Sequence, residues 1–253
     1  MINVKIKRKK LIYTILAAAF WIALWQAVAV IVDMDYVLPS PVDTARALIE
    51  GASEKKFWSA VCFSVVRILV GFLASGVIGI FIALLSVKIK ILKILFDPLC
   101  SVLRAVPIAS FIILVLVMFA SKNVAAIISF LMGFPLVYSS VSKATEVTPS
   151  EMLEVVKTFK MPFLASLRYV YIPHLRPYIA SALTVSVGLC FKSGIAAEVI
   201  GYPMGSVGAQ MYLAKTGMNM PDLFAYTVIV VLASVICEKV IARVLGGKRE
   251  VRV

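Results

Sequence analysis

Leu11 to Val32 runs for 22 residues without a charge, and Ile68 to Val87 and Asn123 to Ser142 do so for 20 residues each. About 20 residues at a rise of 1.5 Å per residue cross the hydrocarbon of a bilayer, so each run predicts a transmembrane helix. Three further stretches are apolar but carry charge: Leu99 to Ser121 holds Arg104, Pro177 to Ile200 holds Lys192 and Glu198, and Leu223 to Ala242 holds Glu238 and Lys239. Six spans are therefore expected. Hydrophobic residues make up 62% of the chain and the mean hydropathy is +1.00, against roughly 45–50% apolar residues in soluble domains. A soluble core cannot absorb that much apolar surface, so the expectation is an all-α, polytopic membrane protein in contact with lipid.

The formal charge of +13 would suit a nucleic-acid binder. The basic residues gather at the ends of apolar runs instead, which excludes that class. Eighteen of the 26 Lys and Arg residues fall before the first span, between spans two and three, between four and five, or after the sixth. Only Arg46, Lys55, Lys56, Lys122 and Lys215 fall in the opposite loops. Basic loops stay cytoplasmic, so both termini are expected in the cytoplasm of a multi-pass cell-membrane protein. The expected organisation is a basic N-terminus at 1–10, a six-span domain at 11–245 and a tail at 246–253. The first run is too long for a signal-peptide core and no small-residue cleavage site follows it, so it reads as a retained span. Cys62, Cys100, Cys190 and Cys237 lack C-x-x-C spacing and are expected as buried thiols. The one histidine, His174, has no second His or Cys to build a metal site with.

Two helices outside the spans are expected. Ser40-Pro41-Val42-Asp43 supplies an N-cap, a proline at the first helical position and an acid in the first turn. Val42, Ala45, Ile49 and Ala52 follow at helical spacing, which predicts an external amphipathic helix at about 41–56 with that stripe against the bundle. In the loop at about 146–175, Thr148-Pro149-Ser150-Glu151 repeats the capping chemistry, and Met152, Val155, Val156 and Phe159 follow at i, i+3, i+4 and i+7. From pattern alone, this second helix either lies on the lipid surface or offers its stripe to a protein.

Gly71, Ser75, Gly79 and Ala83 recur every four residues in span two, a small-residue stripe that lets a neighbouring helix approach closely. Arg67, Arg104, Lys192 and Glu198 are the charges in or beside the spans. An ion at mid-membrane costs at least about 2.5–3.5 kcal/mol, so each must snorkel, pair, or face a water-filled path. Lys192 and Glu198, six positions apart, lie on opposite sides of one helix and each needs a partner elsewhere. No phosphate cradle of the G-x-x-x-x-G-K-[ST] kind occurs: Gly246-Gly247-Lys248 is followed by Arg249 with no strand before it. No nucleophile and base pair is apparent either, so the chain is read as a non-enzyme without a cofactor.

Glu154-Val155-Val156, then Lys160, then Val170-Tyr171-Ile172-Pro173 resembles the EAA loop of binding-protein-dependent ABC importer permeases: an E-A-A triplet, a glycine four residues on, and an I-x-L-P ending. Lys160 stands in the glycine's place. Leu38-Pro39-Ser40-Pro41, the S-x-x-R-x-x-x-G-F stretch from Ser64 through Arg67 to Gly71-Phe72, Asp97-Pro98 with Arg104-Ala105-Val106-Pro107, and Ala197-Glu198 ahead of Gly201, Gly205 and Gly208 are similar to the nitrate, sulfonate, taurine and bicarbonate group of those permeases. Two prolines of that pattern are replaced by Ile108 and Ile113, which bears on whether span three is kinked.

The resemblance implies a MetI-like six-helix ABC permease bundle. Implied with it are cytoplasmic ABC ATPases that consume the ATP, an external substrate-binding protein, and a second permease copy. Glu151, Met152, Glu154, Val155, Val156, Phe159 and Pro173 would belong to the ATPase-coupling loop, and Arg67, Arg104, Lys192 and Glu198 to the pathway or its intramembrane charges. The competing reading is an ion-coupled secondary transporter built on Lys192 and Glu198.

Overall fold

The computed structural model describes residues 2–34 and 36–245, the side chains of residues 2–11 excepted. The tail at 246–253, with its glycine pair and basic residues, lies outside the described residues. Every regular element described is helical: α1 (Ile2–Val32), α2 (Pro41–Ala52), α3 (Lys55–Ser86), α4 (Lys90–Ala105), α5 (Ile108–Met118), α6 (Val124–Glu146), α7 (Ser150–Thr158), α8 (Phe163–Ser166), α9 (Ile172–Gly201), α10 (Val207–Thr216) and α11 (Met220–Leu245). A π-helical turn, Leu167–Tyr171, leads into α9. The chain is an all-α polytopic protein of the expected class.

Four stretches are long and apolar enough to cross a membrane, Ile12–Val32, Lys55–Ser86, Ser121–Glu146 and Phe163–Gly201. The expected third span is not one helix. It breaks between α4 and α5, which meet at a bend of 104° and make a fifth crossing only if taken together. The break falls at Val106-Pro107 and needs neither of the replaced prolines. The stretch expected as the sixth span lies within α11, a helix of 26 residues that also carries Asp222, Glu238, Lys239 and Arg243.

The chain divides into two compact units. One comprises residues 1–58 and 210–229. There Trp25 donates its indole N–H to the Pro39 carbonyl at 3.1 Å and packs on Phe224, while Phe57 stacks on Tyr226 at 4.9 Å. Ser40 caps α2 as the sequence predicts: its hydroxyl accepts from the Asp43 amide at 3.1 Å and donates to the Asp43 carboxylate at 2.5 Å. The stripe of α2 points the other way from the expectation. Thr44 and Ala47 are buried, whereas Val42, Ala45, Ile49 and Ala52 are exposed. The helix also ends at Ala52, short of residue 56.

The other unit, residues 59–209 and 230–253, is organised around α6 and α9. In the apolar window of α6, 61% of residues are buried, against 6% in that of α1. Core side chains include Val137, Tyr138, Val141 and Leu175 around Cys100, and Ile112, Val124 and Ile128 around Ala197. Gly71, Ser75, Gly79 and Ala83 are all buried, as expected of the stripe. A Cβ on Gly71 would land on the carbonyl oxygen of Ala126, and one on Gly79 would come within 3.2 Å of the Tyr138 amide nitrogen, so α3 meets α6 backbone to backbone. Cys100 and Cys190 are buried, but Cys62 is exposed on α3, contrary to expectation. An apolar helix in lipid has no need to turn every thiol inward.

Candidate functional site

Glu198 is fully buried in the last turn of α9. Its Oε2 accepts a 2.6 Å hydrogen bond from the Ser64 hydroxyl and a 3.2 Å bond from the Gly208 amide, and the Ser64 oxygen in turn accepts from the Val207 amide at 2.9 Å. The carboxylate and the hydroxyl together satisfy the first amides of α10, where an acceptor and a negative charge are both favoured. Glu198 Oε1 has no hydrogen-bond partner among the described residues. The loop back from α9 uses Tyr202 at φ +48° and Gly205 at φ +82°. Gly208 has no room for a side chain, since a Cβ would strike Cβ and the backbone of Glu198.

Arg67 lies one turn beyond Ser64 on α3. It donates from Nε to the Lys122 carbonyl at 2.6 Å and covers the Phe63 ring with its guanidinium 3.4 Å from the centroid. The Ser64/Arg67 motif and the Ala197-Glu198 motif thus converge in space, at Ser64. Both pieces stand in the sequence, but nothing in a single sequence links two positions 134 residues apart. The amides of Val207 and Gly208 carry no residue-type signal and could not be anticipated.

Arg104 and Lys192 are not brought to this node. Arg104 is exposed at the end of α4, with Nε donating to the Cys100 carbonyl at 3.2 Å. Lys192 is exposed on α9, opposite Glu198 as the spacing predicts. It has no partner among the described residues. His174 packs beside Tyr178, its Nε2 buried without a partner among the described residues.

In the 146–175 loop, α7 places Met152, Val155 and Phe159 outward, with Phe159 at 74% exposure. Glu151 and Glu154 are also exposed, while Leu153 and Val156 are half-buried. The four-residue stripe is therefore split, and Val156 turns toward its own chain. Thr148 is not the N-cap. Pro149 holds that position without a side-chain bond, and the Thr148 hydroxyl is buried unpaired. The helix closes in a Schellman turn: the Met161 amide bonds the Val156 carbonyl at 3.0 Å, and the Lys160 amide bonds that of Lys157 at 3.1 Å. Lys160 itself sits at φ +44°. The left-handed residue of the motif is retained with lysine in place of glycine. Pro173 is exposed in the first turn of α9.

Known proteins resemble this chain over most of its length. A protein named as an ABC transporter permease in Methanocaldococcus jannaschii is 23% identical over 94% of this chain and 91% of its own. The nitrate import permease protein of Synechococcus elongatus is 24% identical over 77% of this chain and 73% of its own. A Bacillus subtilis permease protein named for aliphatic sulfonates transport is 25% identical over 85% and 78%. The model of the binding-protein-dependent transport system inner membrane component family matches residues 75–245, which takes in α6, α7, Glu198 with Gly208, and the Schellman turn at Lys160, but not Ser64. With more than half the chain covered, this protein belongs to that family of ABC importer permeases.

Proposed function

We propose that the chain forms half of the translocation pathway for a small anion of the nitrate, sulfonate, taurine or bicarbonate kind. An external binding protein delivers the anion, two cytoplasmic ATPases supply the energy, and a second copy of the chain completes the pathway. Both termini and α7 lie in the cytoplasm, following the distribution of Lys and Arg. The chain is not itself an enzyme and holds no cofactor of its own. The observation that carries this reading is the apolar face of Met152, Val155 and Phe159, left uncovered on a short helix between two membrane-crossing helices. Such a face suits helix-in-groove docking to an ATPase, with Glu151 and Glu154 at the groove rim, Val156 holding the helix to its own chain, and Pro173 starting the span that the docked loop moves.

Phe159→Asp would put an unpaired ion in that groove. The expected result is loss of ATPase co-purification and of uptake while the spans stay folded. A Phe159→Asp variant that keeps its ATPase at normal stoichiometry and transports normally refutes the coupling assignment. Uptake abolished by protonophores but indifferent to ATPase inhibitors would favour the secondary-transporter reading instead.

A further inference from the structure

One face of α6 carries Met132, Leu136, Ser139, Ser140 and Lys143 into a half-open cavity of about 370 Å³, which residues of α4, α5 and α9 also line. Arg104 enters the same cavity from α4. Among the described residues, the polar side chains lining it are two cations and two hydroxyls, with no carboxylate. The nearest acids along the sequence are engaged elsewhere: Glu146 pairs with Lys93, and Asp97 accepts from the Tyr138 hydroxyl at 3.0 Å. Arg104 and Lys143 are both exposed, no carboxylate lines the cavity with them, and the rest of its lining is largely apolar, so its field favours entry of an external anion.

We infer that Arg104, Lys143, Ser139 and Ser140 form a binding site for a small oxyanion. The inference rests on the anion-importer reading for its place in transport, but the charge and shape of the cavity carry it independently. A guanidinium presents paired N–H donors that match two oxygens of one anion. Lysine adds a movable point charge, and the hydroxyls supply further donors. The cavity is larger than such an anion, which would therefore keep part of its water and bind weakly enough to leave. Lys192 does not line this cavity and has no part in the site.

The test uses the full chain in membrane vesicles, with the four native cysteines replaced and Ser140→Cys introduced. Rates of reaction, each divided by that reagent's rate with a small free thiol in solution, are compared for an anionic sulfonate and a cationic ammonium thiosulfonate reagent of similar size, with and without nitrate. The anionic reagent should react faster by on the order of tenfold, as expected where like charges focus an ion into a cleft. Arg104→Gln and Lys143→Gln should each reduce that preference, and nitrate should slow the anionic reaction. Equal rates for the two reagents, or a preference untouched by both glutamine variants, would overturn the site. If Ser140→Cys prevents folding, Ser139→Cys serves in its place. Ser140→Cys vesicles that show the preference, together with no uptake of nitrate, bicarbonate or sulfonate by the wild-type chain co-expressed with its ATPases and binding protein, would refute the importer reading and leave the site standing.

Discussion

The hydroxyl of Ser64 reaches Glu198 at 2.6 Å and makes the buried acid part of a three-element joint of α3, α9 and the start of α10. Glu198→Ala removes the acceptor and leaves the Ser64 hydroxyl and the Gly208 amide buried without it, at a cost of about 1–3 kcal/mol. Glu198→Gln keeps an acceptor and should lose less. Glu50→Ala, on the exposed side of α2, should change stability by less than about 0.5 kcal/mol. Thermal unfolding in nanodiscs together with uptake decides this, and equal effects of Glu198→Ala and Glu50→Ala would show that the joint does not matter.

The two glycines Gly71 and Gly76 should respond differently to alanine. At Gly71 the added methyl meets the backbone of Ala126, which cannot yield, whereas at Gly76 it meets a Leu183 methyl 2.9 Å away that can rotate. Gly71→Ala is expected to lower folded yield sharply and Gly76→Ala only mildly, as read by size-exclusion profile after extraction. The opposite order would mean that α3 and α6 do not approach as described.

Topology is tested at three exposed positions, Ser53, Ser150 and Thr216. In a background with Cys62 replaced, a membrane-impermeant maleimide added outside sealed cells should label Ser53→Cys and Thr216→Cys but not Ser150→Cys. External labelling of Ser150→Cys would reverse the orientation.

Lys160→Gly should stabilise the turn after α7. A non-glycine residue in the left-handed region costs on the order of 1 kcal/mol, which glycine avoids. The expected readout is slower hydrogen exchange at the Met161 amide, and faster exchange there would refute it.

Four of the six expected spans were legible as single membrane-crossing stretches, because lipid demands the same thing of every helix that crosses it, namely about 20 residues with few charges. Breaks were less legible. Pro98, Pro135 and Pro177 all lie inside continuous helices, whereas Pro107 sits at a sharp bend, so the residue type alone does not decide the outcome. Amphipathic stripes misled for a related reason. In a water-soluble chain, Val42, Ala45 and Ile49 would mark the buried face, but beside a membrane an apolar face can point away from the chain at little cost. Capping chemistry was legible at Ser40 and failed at Thr148, where Pro149 takes the cap position. The approach of Ser64 to Glu198 was out of reach, because it depends on how α3 and α9 are packed rather than on either segment.

The bend at Pro107 also has a consequence for hydration. Proline has no N–H to offer the Leu103 carbonyl four residues back, and α5, at 11 residues, is only about 16 Å long, roughly half the hydrocarbon thickness. If α4 and α5 together make one crossing, the interrupted backbone comes at a depth where lipid supplies no hydrogen bonds, and irregular backbone survives there only beside protein or trapped water. Val106 and Ile108, on either side of the break, line the same cavity as Arg104 and Lys143. Solvent molecules held there would serve the peptide groups as well as the charges, so drying that space would strain the helix pair itself.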